Sequence, residues 1–167
     1  RDGSWKAPLD PPKKMMTRRS DRILTGGACR LDHAVHHVLN VAEGFETALS
    51  VRLLTGLPTW CCASGELLRG FQPPADVEFL AVWGDFDASG MRCADRLVER
   101  VRAEGKRAVA IYPTYPLGSR TKYDWNDALV EIGTTTIRQQ SFYRSFFAGL
   151  KEKLAAKGLD LRTGHGA

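Results

Sequence analysis

The sequence predicts an α/β fold built on a compact, largely parallel, doubly wound sheet, and three observations carry that reading. Short apolar runs alternate with stretches of helical periodicity from Val35 to Ile132. Glycine or proline punctuates most of the changes between them. Acidic residues follow directly after apolar runs, where a strand would hand over to a helix. Helices interposed between strands act as crossovers, and crossovers make neighbouring strands parallel.

Residues 1–35 read as an irregular, basic arm, with Pro8, Pro11 and Pro12 ahead of Lys13, Lys14, Arg18, Arg19 and Arg22. Proline fixes φ and withholds a donor, so an extended or edge segment fits this stretch and a helix does not. Gly26-Gly27 marks a turn. Val35 to Ala42 reads as a buried strand, and Phe45 to Leu54 as a helix through Phe45, Ala48, Leu49 and Leu53, stopped by Gly56 and Pro58. Thr59 to Ala63 is a short second strand, Glu66 to Phe71 one or two helical turns, and Val77 to Trp83 a third strand.

From Gly90 to Glu104 the apolar positions Met91, Ala94, Leu97, Val98 and Val101 recur at helical spacing, and Gly105 ends the run. Arg107 to Tyr112 is a fourth strand. Pro113 to Tyr123 is a long loop, and Asp124-Trp125-Asn126-Asp127 opens a helix through Ala128, Leu129 and Ile132. Ile137 to Leu161 reads as one further helix, whose Phe142, Tyr143, Phe146 and Phe147 are expected to pack on the sheet. The domain reading is a basic arm over 1–35, an α/β domain over 36–133, and a C-terminal helical segment with a frayed tail over 134–167.

At 167 residues the chain is long enough for one sizeable core, and no apolar run is long enough to span a membrane. The net charge of +5 and pI near 9.2 favour a polyanionic partner, most simply nucleic acid, with a merely solvated basic surface as the alternative. Cys29, Cys61, Cys62 and Cys93 form no C-x-x-C pair, which argues against structural zinc and for reduced thiols in a cytoplasmic protein. As strand neighbours, Cys61 and Cys62 should face opposite sides of the sheet. His33, His36 and His37 lack further ligands in reach and read as surface residues. The opening Arg1-Asp2-Gly3 has neither an initiator Met nor a signal-peptide pattern and suggests a piece of a longer polypeptide.

The chemistry concentrates where strands end. Asp85 and Asp87 follow Trp83 one residue apart, so in an extended chain they point the same way. Two converging carboxylates repel unless a cation or a proton lies between them, and hard divalent metals prefer oxygen donors. Glu43 ends the first predicted strand just before Gly44; its alternative is an ordinary loop carboxylate. Asp124 and Asp127 are either metal ligands or helix caps. Arg120 and Lys122 on the adjoining loop could hold phosphates or be plain solvated charges.

Taken together, Glu43-Gly44-Phe45-Glu46-Thr47-Ala48-Leu49-Ser50, Gly84-Asp85-Phe86-Asp87-Ala88-Ser89-Gly90 and Asp124-Trp125-Asn126-Asp127 resemble the successive motifs of a Toprim (topoisomerase–primase) domain. The likeness is greatest to plasmid- and phage-encoded DNA primases and primase-helicases. Lys6-Ala7-Pro8, Pro12-Lys13-Lys14 and Gly26-Gly27-Ala28 ahead of Arg30-Leu31 resemble the segment that precedes the acidic motifs there, so the resemblance covers about residues 1–133.

The resemblance implies a Rossmann-like domain of about four largely parallel strands. It assigns Glu43 as general acid/base or metal contact, Asp85 and Asp87 as metal-binding and catalytic, and Asp124 or Asp127 as a further acidic position. It implies Mg²⁺ or Mn²⁺ as cofactor, with single-stranded DNA and nucleoside triphosphates as partners and a replicative helicase as a further one. Lys13, Lys14, Arg18, Arg19, Arg120 and Lys122 are the candidate contacts to nucleic acid or nucleotide. The chain carries no G-x-x-x-x-G-K-[ST] and hence no helicase motor. Primer synthesis is the leading reading, with a strand-cutting Toprim nuclease and a non-catalytic nucleic-acid-binding module as alternatives.

Overall fold

A computed structural model describes residues 24–33, 35, 37–113 and 120–161. Five strands, β1 (Cys29–Arg30), β2 (Val38–Ala42), β3 (Thr59–Cys61), β4 (Phe79–Trp83) and β5 (Arg107–Ile111), form one sheet in the order β1-β3-β2-β4-β5. β3, β2, β4 and β5 run parallel, whereas β1 pairs antiparallel with β3. The helices are α1 (Phe45–Thr55), α2 (Gly65–Arg69), α3 (Ala88–Ala103), α4 (Trp125–Ile132), α5 (Thr134–Gln139) and α6 (Ser141–Ala155).

β2 and β4 are apolar almost throughout because both sheet faces are covered. Along β4, Phe79, Ala81 and Trp83 enter one core with α1, α4, α5 and α6, while Leu80 and Val82 enter the other with α2 and α3. Cys61 and Cys62 divide between the two cores as expected, and all four cysteines are free thiols. The aromatic run of α6 does pack on the sheet: Phe146 lies edge-on to Phe79 at 6.0 Å and to Trp83 at 5.9 Å.

Among the described residues the sheet has the four parallel strands expected and a fifth, antiparallel edge strand, β1, which lies within the stretch read as an extended arm or edge segment. Arg30 stacks over Trp60 at 4.6 Å, and Asp32 just beyond accepts from Arg52 Nε and from the Thr59 N–H, which holds this short edge in place. The C-terminal segment is two helices rather than one, since Gln140 takes an extended conformation (φ −65°, ψ 146°) between α5 and α6. The histidines also depart from a simple surface reading: His33 is exposed, but His37 is half-buried with an Nδ1 that has no hydrogen-bond partner among the described residues. His36 and every residue of the basic arm through Arg22 lie outside the described residues.

One buried polar group was not foreseen. Asn40, fully buried in the middle of β2, donates to Thr55 Oγ1 (3.1 Å) and Thr59 Oγ1 (3.3 Å) and accepts from Trp83 Nε1 (2.9 Å). A fully satisfied network of this kind fixes one arrangement of the surrounding elements. It locks β2, β3 and β4 directly beneath the strand ends that bear the acids.

Candidate metal and phosphoryl-transfer site

Chain order and sheet order together determine where a ligand can sit. From β2 the chain moves to β3 on one side, then returns across to β4 and β5 on the other. The crevice between the carboxyl ends of β2 and β4 is therefore the topological switch point, the usual ligand position in an open α/β sheet. Ala42 pairs with Trp83 in the register of these strands, so Glu43 and the Gly84–Asp87 turn leave the sheet side by side.

Two glycines allow the turn its shape. A Cβ on Gly84 would lie 2.5 Å from the Tyr112 ring, and one on Gly90 would lie 2.9 Å from the Asp85 carbonyl oxygen. The first turn of α3 thus presses directly on the Asp85 backbone. Asp87 is extended (φ −145°, ψ 164°) and caps α3, accepting from the N–H groups of Ser89 (2.9 Å) and Gly90 (2.8 Å).

Asp85 receives no such help. Its carboxylate is met by the Thr47 hydroxyl at 3.5 Å, a long contact. Burial pushes its pKa up to about 7, and the charges of Glu43, Asp124 and Asp87 add to the shift. Loss of hydration and like charges both disfavour the ionised form, so this group demands either a proton or a cation.

Asp124 stands near enough to act on Asp85, but its side chain also serves the backbone. Asp124 caps α4 by accepting from the Asp127 N–H (2.8 Å), and Asp127 accepts in return from the Asp124 N–H (3.3 Å). Burial holds Asp124 above the ordinary carboxylate range; Asp127 and Glu46 add to this, and backbone N–H groups of Asp127 and Asn126 oppose it. Glu46, on the exposed side of the first turn of α1, is thereby an acidic neighbour that the sequence reading did not single out. Glu43 is half-buried, and its Oε2 would lie 3.2 Å from a Cβ on Gly65. Gly65 therefore leaves the space the carboxylate uses.

The structure thus brings Glu43, Asp85, Asp87 and Asp124 to one edge, with Asp127 behind Asp124. The loop cations are differently placed. Arg120 is ion-paired with Glu131 and lies over the Tyr123 ring at 5.8 Å, whereas Lys122 is exposed. Lys13, Lys14, Arg18 and Arg19 fall outside the described residues.

Among the described residues, no three His, Cys, Asp or Glu side chains are gathered tightly enough to enclose a metal ion. The donor set does not fit a fully protein-ligated ion such as structural zinc. It does fit a hard cation held by one or two carboxylates with waters and phosphate oxygens completing its shell, the habit of Mg²⁺.

Among the described residues no helix is long and apolar enough to cross a membrane. A comparison with curated proteins returned no match. Among solved structures, the crystal structure of a DNA primase domain from Pseudomonas aeruginosa is similar at 21% identity and a TM-score of 0.39, covering 70% of this chain and 38% of that one. The chain thus spans well under half the length of that neighbour. A family description, Toprim domain, matches residues 38–135, which run from the start of β2 into α5 and include every acidic residue of the edge. With more than half of its length inside that match, the chain belongs to the Toprim domain family.

Proposed function

We propose that this Toprim domain carries the metal-dependent nucleotidyl-transfer centre of a primase of plasmid or phage type, making short RNA primers on single-stranded DNA. The observation that most supports this reading is Asp85. It is a half-buried carboxylate at the switch point, beside Glu43, Asp87 and Asp124, with one long hydroxyl contact to offset its charge. A bound Mg²⁺ or Mn²⁺ would align the phosphates of a nucleoside triphosphate and offset the charge that builds on their oxygens.

Asp85 and Asp87 would be its principal protein ligands. Asp87 is held by two N–H donors of α3, so its carboxylate is pre-aimed. Glu43, across the crevice just past the end of β2, would take the proton of an attacking hydroxyl or touch the cation. Asp124 adds negative charge from the far side, and Asp127 steadies Asp124. Lys122 is exposed on the loop leading to Asp124 and can meet a phosphate without first leaving an ion pair, whereas Arg120 must leave Glu131. The basic arm would track the template, a replicative helicase would be a partner, and the cytoplasm would be the setting of such an enzyme.

The test uses the unsubstituted parent protein with a single-stranded template, nucleotides and Mg²⁺. Short RNA products are expected, and Glu43→Gln or Asp85→Asn should lower their formation by about 10²-fold or more, since each removes charge with little change of shape. Metal-dependent strand cutting by the parent, without nucleotide incorporation, would replace this reading with a nuclease.

A further inference from the structure

A second feature lies at the other end of the same sheet. Phe79 and Arg107 open β4 and β5, and at 3.3 Å per residue they stand roughly 20 Å along the strands from Asp85. There an open groove of about 540 Å³ runs between β5, an edge strand, and α6. Arg102, Lys106, Arg107 and Lys153 line it, and among the described residues no aspartate or glutamate does.

The cations are not equivalent. Lys106 Nζ is committed to the carbonyls of Pro74, Ala75 and Val77 at 2.8–3.0 Å. Arg102 Nε donates to Ala108 O (2.8 Å), which fixes the guanidinium along β5 and covers a carbonyl of that edge strand. Arg107 and Lys153 are exposed at the rim. Glu78, whose carboxylate feels Arg107, is itself paired with Lys157. Half-buried Phe146 gives the groove an apolar floor, and Gly149 on α6 leaves it open, with nothing within 4 Å of where its Cβ would be.

We propose that this β5–α6 groove is a second binding site, separate from the acidic edge, for the backbone of a single-stranded nucleic acid. Cations along one trough with an aromatic floor suit a flexible polyanion that also presents flat apolar faces. Arg102 covers the β5 edge against pairing with a further strand, which disfavours a peptide added to the sheet. The site rests on the nucleic-acid reading above only for the identity of its ligand; the groove itself does not depend on catalysis.

The test is fluorescence anisotropy of the full chain with an oligothymidylate of about fifteen nucleotides, measured across a salt series. Arg107→Ala/Lys153→Ala should weaken binding about tenfold and reduce the magnitude of the salt slope by about 1.4, two phosphates at about 0.7 each. Gly149→Glu and Gly149→Lys give the charge control, as both residues form helices better than glycine does. Binding should fall at least about tenfold with Glu and hold or tighten with Lys. Binding should also persist in Asp85→Asn, so that failure of the primase reading leaves this result standing. Unchanged affinity in the double variant, equal effects of Glu and Lys, loss of binding in Asp85→Asn, or equal displacement by polyglutamate would each overturn the proposal.

Discussion

Two helices of this domain start on paired aspartates, and they use them differently. At the entry to α4, Asp124 and Asp127 lie three apart across the first turn and exchange hydrogen bonds with each other's backbone N–H groups. At the entry to α3, Asp85 and Asp87 lie two apart in extended chain. Asp87 caps the helix with bonds to Ser89 and Gly90, and Asp85 is left with the Thr47 contact at 3.5 Å. A spacing of three suits reciprocal capping, because the N3 side chain reaches back to the cap. A spacing of two places the second carboxylate beside the first without giving it a donor. The α4 pair is mainly architecture with some charge to lend, whereas the α3 pair divides the two tasks between its members.

The contrast can be broken most severely at Gly90. A methyl group there would meet the Asp85 carbonyl oxygen at 2.9 Å, and a backbone atom cannot swing aside. Gly90→Ala should therefore cost about 1–3 kcal/mol in urea unfolding, despite the better helix propensity of alanine. Stability equal to that of the parent would mean that α3 does not press on Asp85 as described.

Asp85→Asn should move stability the other way. The folded protein raises the Asp85 pKa from 3.8 to about 7, so the native state binds this proton more tightly than the unfolded chain does. The resulting contribution is fully present below pH 3.8, declines as pH rises, and is lost once pH passes about 7. Asparagine never ionises, so the variant should exceed the parent by on the order of 2 kcal/mol at about pH 8, with the gap closing toward about pH 4. A gap that did not depend on pH would assign the effect to packing instead.

The smallest effects should separate cap from charge. Asp87→Ala removes the α3 cap and should cost about 1 kcal/mol, while Asp87→Asn keeps an acceptor and should cost only a few tenths. Asp124→Ala and Asp124→Asn should show the same order at α4. Equal losses for Ala and Asn at position 87 would show that capping is not what holds that carboxylate.

Much of this was readable in the sequence, for identifiable reasons. The apolar runs that became β2 and β4 are buried on both faces, and such strands need no alternation to be recognised. Glu43, Asp85 and Asp124 follow strands or begin helices, so chain order placed them at one edge. The division of labour between Asp85 and Asp87 was not legible, since it depends on which carboxylate meets the N–H groups of α3. The Asn40 network was hidden because its partners come from α1, β3 and β4, up to 43 positions away. The pairing of β1 was not legible because a two-residue strand has no periodicity, nor was the break at Gln140, because an extended glutamine is locally unremarkable. The β5–α6 groove escaped for a related reason: Arg102, Arg107, Phe146 and Lys153 meet only in three dimensions.

The central claim, that Asp85 is left uncompensated so that it can hold a divalent cation, is tested most directly by urea unfolding of the parent and of Asp85→Asn, with and without Mg²⁺. For a millimolar Kd, about 10 mM Mg²⁺ at about pH 8 should stabilise the parent by about 1.4 kcal/mol. Asp85→Asn should begin the more stable of the two and gain almost nothing. An equal gain in both proteins, or none in the parent, would contradict the claim.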